Sequence, residues 1–160
     1  FLHSGQGGRP YDCWLALRGM RTMAIRLKRH QESALAVAQW LNQHPLVDRV
    51  LYPAFEKDPG HEIWKRDFTG ASGLLSVVFK NRYSTSELAH LVNGFDYFSI
   101  GASWGGFESL VMPCDGWLAA ARSVNRWSND QSLVRFHVGL EDSEDLLNDL
   151  EAGFNRLERL

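Results

Sequence analysis

The sequence predicts an α/β (α+β) sandwich: a mostly antiparallel sheet with helices packed on one face. Three observations predict it. From Tyr11 to His44, apolar residues recur at helical spacing. Two later segments, Leu74 to Phe79 and Val134 to Val138, have strand patterns. A second helix-spaced stripe closes the chain, so helices and strands alternate over short connections.

Each element has its own local reason. Residues 1–10 are glycine-rich and read as an irregular lead-in. A helical pattern starts at Tyr11, with Asp12 as the expected N-cap. Ala34, Leu35, Val37, Ala38, Trp40 and Leu41 form its broad apolar stripe. Gly19, beside the basic run from Arg18 to His30, marks an expected break into two helices, and Pro45 stops the second. The segment VDRVLY at 47–52 reads as a strand ended by Pro53. Pro59-Gly60 then opens a short helix, HEIWKRDF. LLSVVF at 74–79 is apolar on both faces and therefore predicts a central strand. Ser84-Thr85-Ser86-Glu87 is a capping box ahead of Leu88, Leu91 and Val92, with Gly94 as the expected C-cap. Further strands are expected at 97–100 and 107–112, and a short helix from about Trp117 to Val124. SLVRFHVGL predicts the last strand. The last helix follows, capped by Asp142, with Glu144 and Asp145 at the positive end of its dipole. Leu146, Leu147, Leu150, Phe154 and Leu157 make its buried stripe.

Composition narrows the function classes. The 160 residues are enough for one domain with a real core. Hydrophobic residues make up 44% and charged residues 22%, as in ordinary globular proteins. A net charge of −2 gives no electrostatic case for nucleic acid or an anionic membrane. Cys13 and Cys114 are far apart and form no CxxC pair, which fits a reducing cytoplasm. No apolar run is long enough to span a bilayer, and no signal peptide is visible. The start at FLHSGQGG, without Met, reads as a segment entered in mid-protein, or as a processed or tagged start.

Few residues invite chemistry. Alternation in Val134-Arg135-Phe136-His137-Val138 puts the apolar residues on one face and Arg135 with His137 on the other. A guanidinium there either matches a carboxylate bidentately or makes an ordinary salt bridge. Ser103-Trp104-Gly105-Gly106 is either a tight turn around a packed tryptophan or a bend whose backbone approaches an anion. The six histidines, His3, His30, His44, His61, His90 and His137, show no metal spacing, and His137 reads as a satisfied packing residue. Cys114 reads as an idle thiol. Glu108 reads as a carboxylate that pairs with an arginine or orients a neighbour.

Taken together, ALRGMRT, RLKRHQESALAVAQWL, HPLVDRVLYP, GHEIWKRDFTGASGLLSVVF, SWGGFESL and VRFHVGLED resemble the C-terminal part of the Cys/Met-metabolism pyridoxal-phosphate enzymes, closest to the bacterial cystathionine β-lyase branch. The resemblance runs from about Asp12 to the end. It implies the small C-terminal domain of a fold type I enzyme. Residues 1–44 would be a lead-in and linking helix, and residues 45–160 a domain that closes over substrate. The pyridoxal-phosphate domain would lie upstream. In that family the arginine matching Arg135 binds the substrate α-carboxylate, helped by residues matching Ser103 and Trp104. Tryptophan at 104 favours β-lyases over γ-lyases and γ-synthases, which usually carry leucine there. Ala102 departs from the larger aromatic of the closest relatives. The implied reaction is α,β-elimination of L-cystathionine to homocysteine, pyruvate and ammonia, in methionine biosynthesis, by a cytoplasmic homotetramer. The cofactor's lysine has no counterpart: Lys28, Lys57, Lys65 and Lys80 all sit in other contexts. The chain alone is therefore expected to be inactive. A non-enzymatic carboxylate-binding or assembly domain is the competing expectation.

Overall fold

The structure is a computed structural model that describes residues 8–121 and 130–159, with side chains at 119–121 left aside. Among the described residues six helices and five strands follow one another: α1 (Pro10–Met20), α2 (Met23–Gln43), β1 (Val47–Leu51), α3 (His61–Asp67), β2 (Leu74–Phe79), α4 (Thr85–Val92), β3 (Ser99–Ile100), β4 (Leu110–Pro113), α5 (Asp115–Ala121), β5 (Leu133–His137) and α6 (Ser143–Glu158). The strands form one sheet in the order β1-β2-β5-β4-β3. Every pairing is antiparallel except β3 with β4.

The local signals explain most boundaries. Ser84 Oγ accepts from Glu87 N–H while the Glu87 carboxylate accepts from Ser84 N–H, the expected capping box of α4. Asp142 caps α6 by accepting from Glu144 N–H. Three expectations need correction. Asp12 is not the N-cap of α1: Pro10 takes the first helical position, Arg9 caps, and Asp12 accepts from Arg9 N–H from inside the first turn. The expected break into two helices does come, at Arg21 and Thr22 inside the basic run, where the Gly19 carbonyl accepts from Arg26 Nη2. Gly94 has no positive φ; Asn93 caps α4 in the αR region, and Gly94 lies against the Arg156 guanidinium instead. The expected strand at 107–112 begins three residues later, at Leu110. The expected end of a helix at Val124 lies outside the described residues.

Alternation along β5 divides the sheet into two faces. Val134, Phe136 and Val138 are buried against α2, α4 and α6. Leu75, Val77 and Phe79 of β2 share that face, because Leu75 pairs with Phe136 and Val77 with Val134. Phe154 of α6 stacks on Phe79 at 5.5 Å and meets Trp40 of α2 edge-on at 5.3 Å. Each such ring contributes about 2 kcal/mol or more by leaving water. The opposite face carries a smaller cluster of Val78, Cys114 and Leu133, on which Leu118 of α5 packs. α1 buries nothing, and Tyr11, Trp14, Leu17 and Met20 stand exposed along it. No helix among the described residues is long and apolar enough to cross a membrane.

Candidate functional site

The site is built where β5 meets the connection between β3 and β4. Because β3 and β4 are parallel, residues 101–109 must carry the chain back to the starting end of the sheet. They cross over the face opposite the three large helices. Beneath them stands Arg135, in register between Ser76 of β2 and Met112 of β4.

Side chains and amides of residues 135 to 141 anchor this bend step by step. Arg135 Nη2 donates to the carbonyl of Ala102 at 2.7 Å, and reaches those of Ser103 at 3.3 Å and Gly101 at 3.4 Å. His137 Nε2 lies 3.1 Å from both Gly105 N and Gly106 O. Leu140 N–H donates to Phe107 O at 2.8 Å. Glu141 receives Ser109 N–H at 2.7 Å and Ser109 Oγ–H at 2.8 Å, and that hydroxyl oxygen accepts from Gly139 N–H. The approach at Gly139 is so close that a Cβ there would collide with the Phe107 carbonyl and the Glu141 carboxylate. Gly105 holds the one positive φ among the described residues, +85°.

The predicted residues come together unequally. Arg135 is half-buried, faces the bend, and pairs with no carboxylate among the described residues. Ser103 and Trp104 lie exposed on the bend above it, with Trp104 61% exposed. Ser103 meets Arg135 through its carbonyl. Glu108 points out at the exposed rim, and the carboxylate that orients the bend is Glu141. His137 is buried, as a packing residue should be. Burial pushes its imidazole below the ordinary value, with His30 and Arg135 adding to the effect and the Gly106 carbonyl and Glu141 opposing it. Burial raises the Cys114 thiol, which makes it a poor nucleophile.

Glu141, Ser109 and His30 were not singled out from the sequence. Glu141 was findable, because 135, 137, 139 and 141 continue one period of two past the strand end. His30 was not. It reaches the site from α2, with Nδ1 2.7 Å from Val138 O and its ring 5.3 Å from that of His137.

The family model described as Cys/Met metabolism PLP-dependent enzyme matches residues 2–155. The chain belongs to that family. Its bacterial relatives include the cystathionine β-lyase of Escherichia coli (strain K12), 47% identical over 90% of this chain and 37% of that protein. An L-alanine/L-glutamate racemase of Wolbachia pipientis wMel is also 47% identical, over 93% of this chain and 37% of that protein. The crystal structure of a cystathionine γ-synthase from Xanthomonas oryzae pv. oryzae, in complex with cystathionine, superposes with a TM-score of 0.83 at 36% identity. It covers 95% of this chain and 40% of that one. The chain thus spans about two fifths of the length of the family members it matches.

The fit to the family's cofactor is partial. All four lysines are exposed, and none touches Arg135 or lines the cavity beside Trp104. What these residues offer is a guanidinium under a glycine bend.

Proposed function

We propose that this chain is the substrate-gripping, C-terminal portion of a pyridoxal-phosphate-dependent carbon–sulfur lyase. The observation that carries the reading is Arg135. Its guanidinium is held under the bend by three carbonyls on one nitrogen, without an acidic partner among the described residues. Five donors in a rigid fork leave two further nitrogens for a ligand's two oxygens. An amino acid's α-carboxylate has that shape and charge. Ser103 and Trp104 border the same place and would complete its hydrogen bonding and shield it from water.

Pyridoxal phosphate, when bound, supplies the electron sink that makes a Cα bond labile. No step through it is derived from these residues, since no lysine of this chain fits its attachment. That lysine, with the rest of the cofactor site, belongs to an upstream domain of the same protein. The exposed apolar residues of α1 and early α2 are the natural seat for that domain. Alone, the chain would then be inactive, and homotetramer assembly would depend mainly on the upstream part. What Arg135 does is orient: a two-point grip fixes which Cα bond is presented for cleavage.

Among substrates we favour L-cystathionine, cleaved by α,β-elimination to homocysteine, pyruvate and ammonia. Trp104 and the β-lyase relative support that choice. The racemase, equally similar, favours a second reading in which the same grip presents the Cα–H bond of a smaller amino acid. Product analysis of the full-length protein separates the possibilities. Pyruvate from L-cystathionine supports β-elimination, 2-oxobutyrate indicates γ-elimination, and a D-amino acid without cleavage indicates racemisation. In the same protein, Arg135→Ala should raise KM at least about tenfold with a further fall in kcat, as expected when a charge-assisted pair is lost. Near-normal kinetics would refute the role of Arg135.

A further inference from the structure

We propose that His137, backed by His30, is a positioning residue that fixes the bend at Gly105 and Gly106 over Arg135. This rests on the reading of Arg135 as the carboxylate grip, and adds a residue to it.

Three observations carry the inference. The first is the contact itself. His137 Nε2 is equidistant, at 3.1 Å, from an N–H of the bend and from a carbonyl of the bend. Protonated on Nε2, the neutral ring donates to Gly106 O while Nδ1, 3.4 Å away, accepts from Gly105 N–H; protonated on Nδ1, it accepts from Gly105 N–H at Nε2. Either tautomer holds the bend, the first at both residues and the second at Gly105. The second is where those residues lie. Gly105 has its φ at +85°, and a Cβ at Gly105 or Gly106 would meet nothing within 4 Å. Side-chain packing therefore does not hold this part of the bend, and the backbone contact to His137 does. The third is the immobility of the ring. His137 is 1% exposed and His30 is 3% exposed. Their rings lie 5.3 Å apart, and His30 is itself pinned by Val138 O. His30 Nε2 is buried without a partner among the described residues, where the polar contacts of the pair run to the backbone after β5 and to the bend.

The consequence for binding is steric and electrostatic. Arg135 grips the bend at residues 101–103, and His137 grips it at 105–106. Trp104 lies between the two grips and also lines a cavity of about 180 Å³ with Met23, Leu27 and both histidines. Releasing the second grip frees Trp104 and the Gly105 amide while leaving Arg135 in place. The carboxylate pocket then loses its shape, not its charge. A proton on both ring nitrogens would have the same effect at Gly105, since Nε2 could no longer accept. His30 and Arg26 of α2, Arg135 of β5 and Glu141 after β5 are the charged or titratable groups around the ring, and burial disfavours its charged form.

The test uses the full-length protein with its cofactor bound. His137→Leu should raise KM for the amino-acid substrate roughly fivefold or more, with a smaller fall in kcat, and should speed amide exchange at Gly105 and Gly106. His137→Gln places an amide near the position of Nε2 and should restore both to within about twofold of wild type, which loss of packing alone does not predict. Unchanged KM and unchanged exchange in His137→Leu would overturn the inference, as would equal damage in the two variants. Should the leucine variant fail to fold, imidazole nitrogen NMR of the wild type decides. A hydrogen-bonded Nε2 supports positioning, and an unbonded ring contradicts it. Arg135→Ala keeps the two ideas apart. Normal kinetics there defeats the carboxylate grip, while exchange at Gly105 still reports whether His137 holds the bend.

Discussion

Arg135 is worth most where it is because its neighbours do not neutralise it. Carbonyl oxygens hold one of its nitrogens without cancelling the charge, so the guanidinium is fixed without a carboxylate partner among the described residues. The bend above it owes its shape to two adjacent glycines with different duties. Gly105 needs its positive φ, whereas Gly106 has an ordinary φ, and both look onto open space. Gly105→Ala should therefore destabilise the protein by about 1 kcal/mol or more through backbone strain, and weaken substrate binding. Gly106→Ala should leave urea stability almost unchanged. Equal stability losses in the two variants would show that crowding, not conformation, selects glycine there. From sequence, the doublet marked a bend, but not which of its members carries the strain. That depends on where the strands put the chain ends.

The elements show the same division between local and non-local information. The bounds of β2 and the Ser84–Glu87 box were legible because adjacent residues alone decide them. The parallel β3–β4 pair was not, since it depends on a loop anchored from β5 and on a buried residue of α6. Asp149 accepts from the N–H groups of Asp96, Tyr97 and Phe98, at 2.9, 2.8 and 3.3 Å, and so fixes the approach to β3. An acidic residue on the helix stripe, between Leu146 and Phe154, reads from sequence as a solvated neighbour, yet it is only 6% exposed. Asp149→Ala leaves three donors without their acceptor and should cost about 3 kcal/mol in urea unfolding. A loss near zero would mean that water replaces the carboxylate. Glu141 does the corresponding task at the far end of the bend. From sequence, Glu108 reads as a carboxylate that pairs with an arginine or orients a neighbour; it lies exposed, and Glu141, remote in sequence, is the carboxylate that reaches the bend.

At the scale of the molecule, the main core on one face of the sheet leaves the other face to a small cluster under α5 and to the bend over Arg135. Two histidines connect this burial to pH. His44, packed between Trp40 and the Phe154 ring edge, and His137 are both pushed below the ordinary value of 6.5, chiefly by burial. The unfolded chain therefore binds more protons than the folded one between the depressed values and 6.5. Their stabilisation is complete above 6.5 and is lost as pH falls through the folded values. The urea midpoint should decline from about pH 7.5 to about pH 5.5, and His44→Phe should flatten that decline. A midpoint that stays level or rises would contradict the assignment. The account of function rests on a single pairing, and a double comparison isolates it. In the full-length protein, wild type and Arg135→Ala are each assayed with L-cystathionine and with its α-carboxamide, which keeps the shape and loses the charge. The predicted result is a loss of kcat/KM of about a hundredfold for the amide in wild type, equivalent to about 3 kcal/mol, and almost no further loss in the variant. If wild type and variant discriminate equally between acid and amide, Arg135 does not hold the carboxylate.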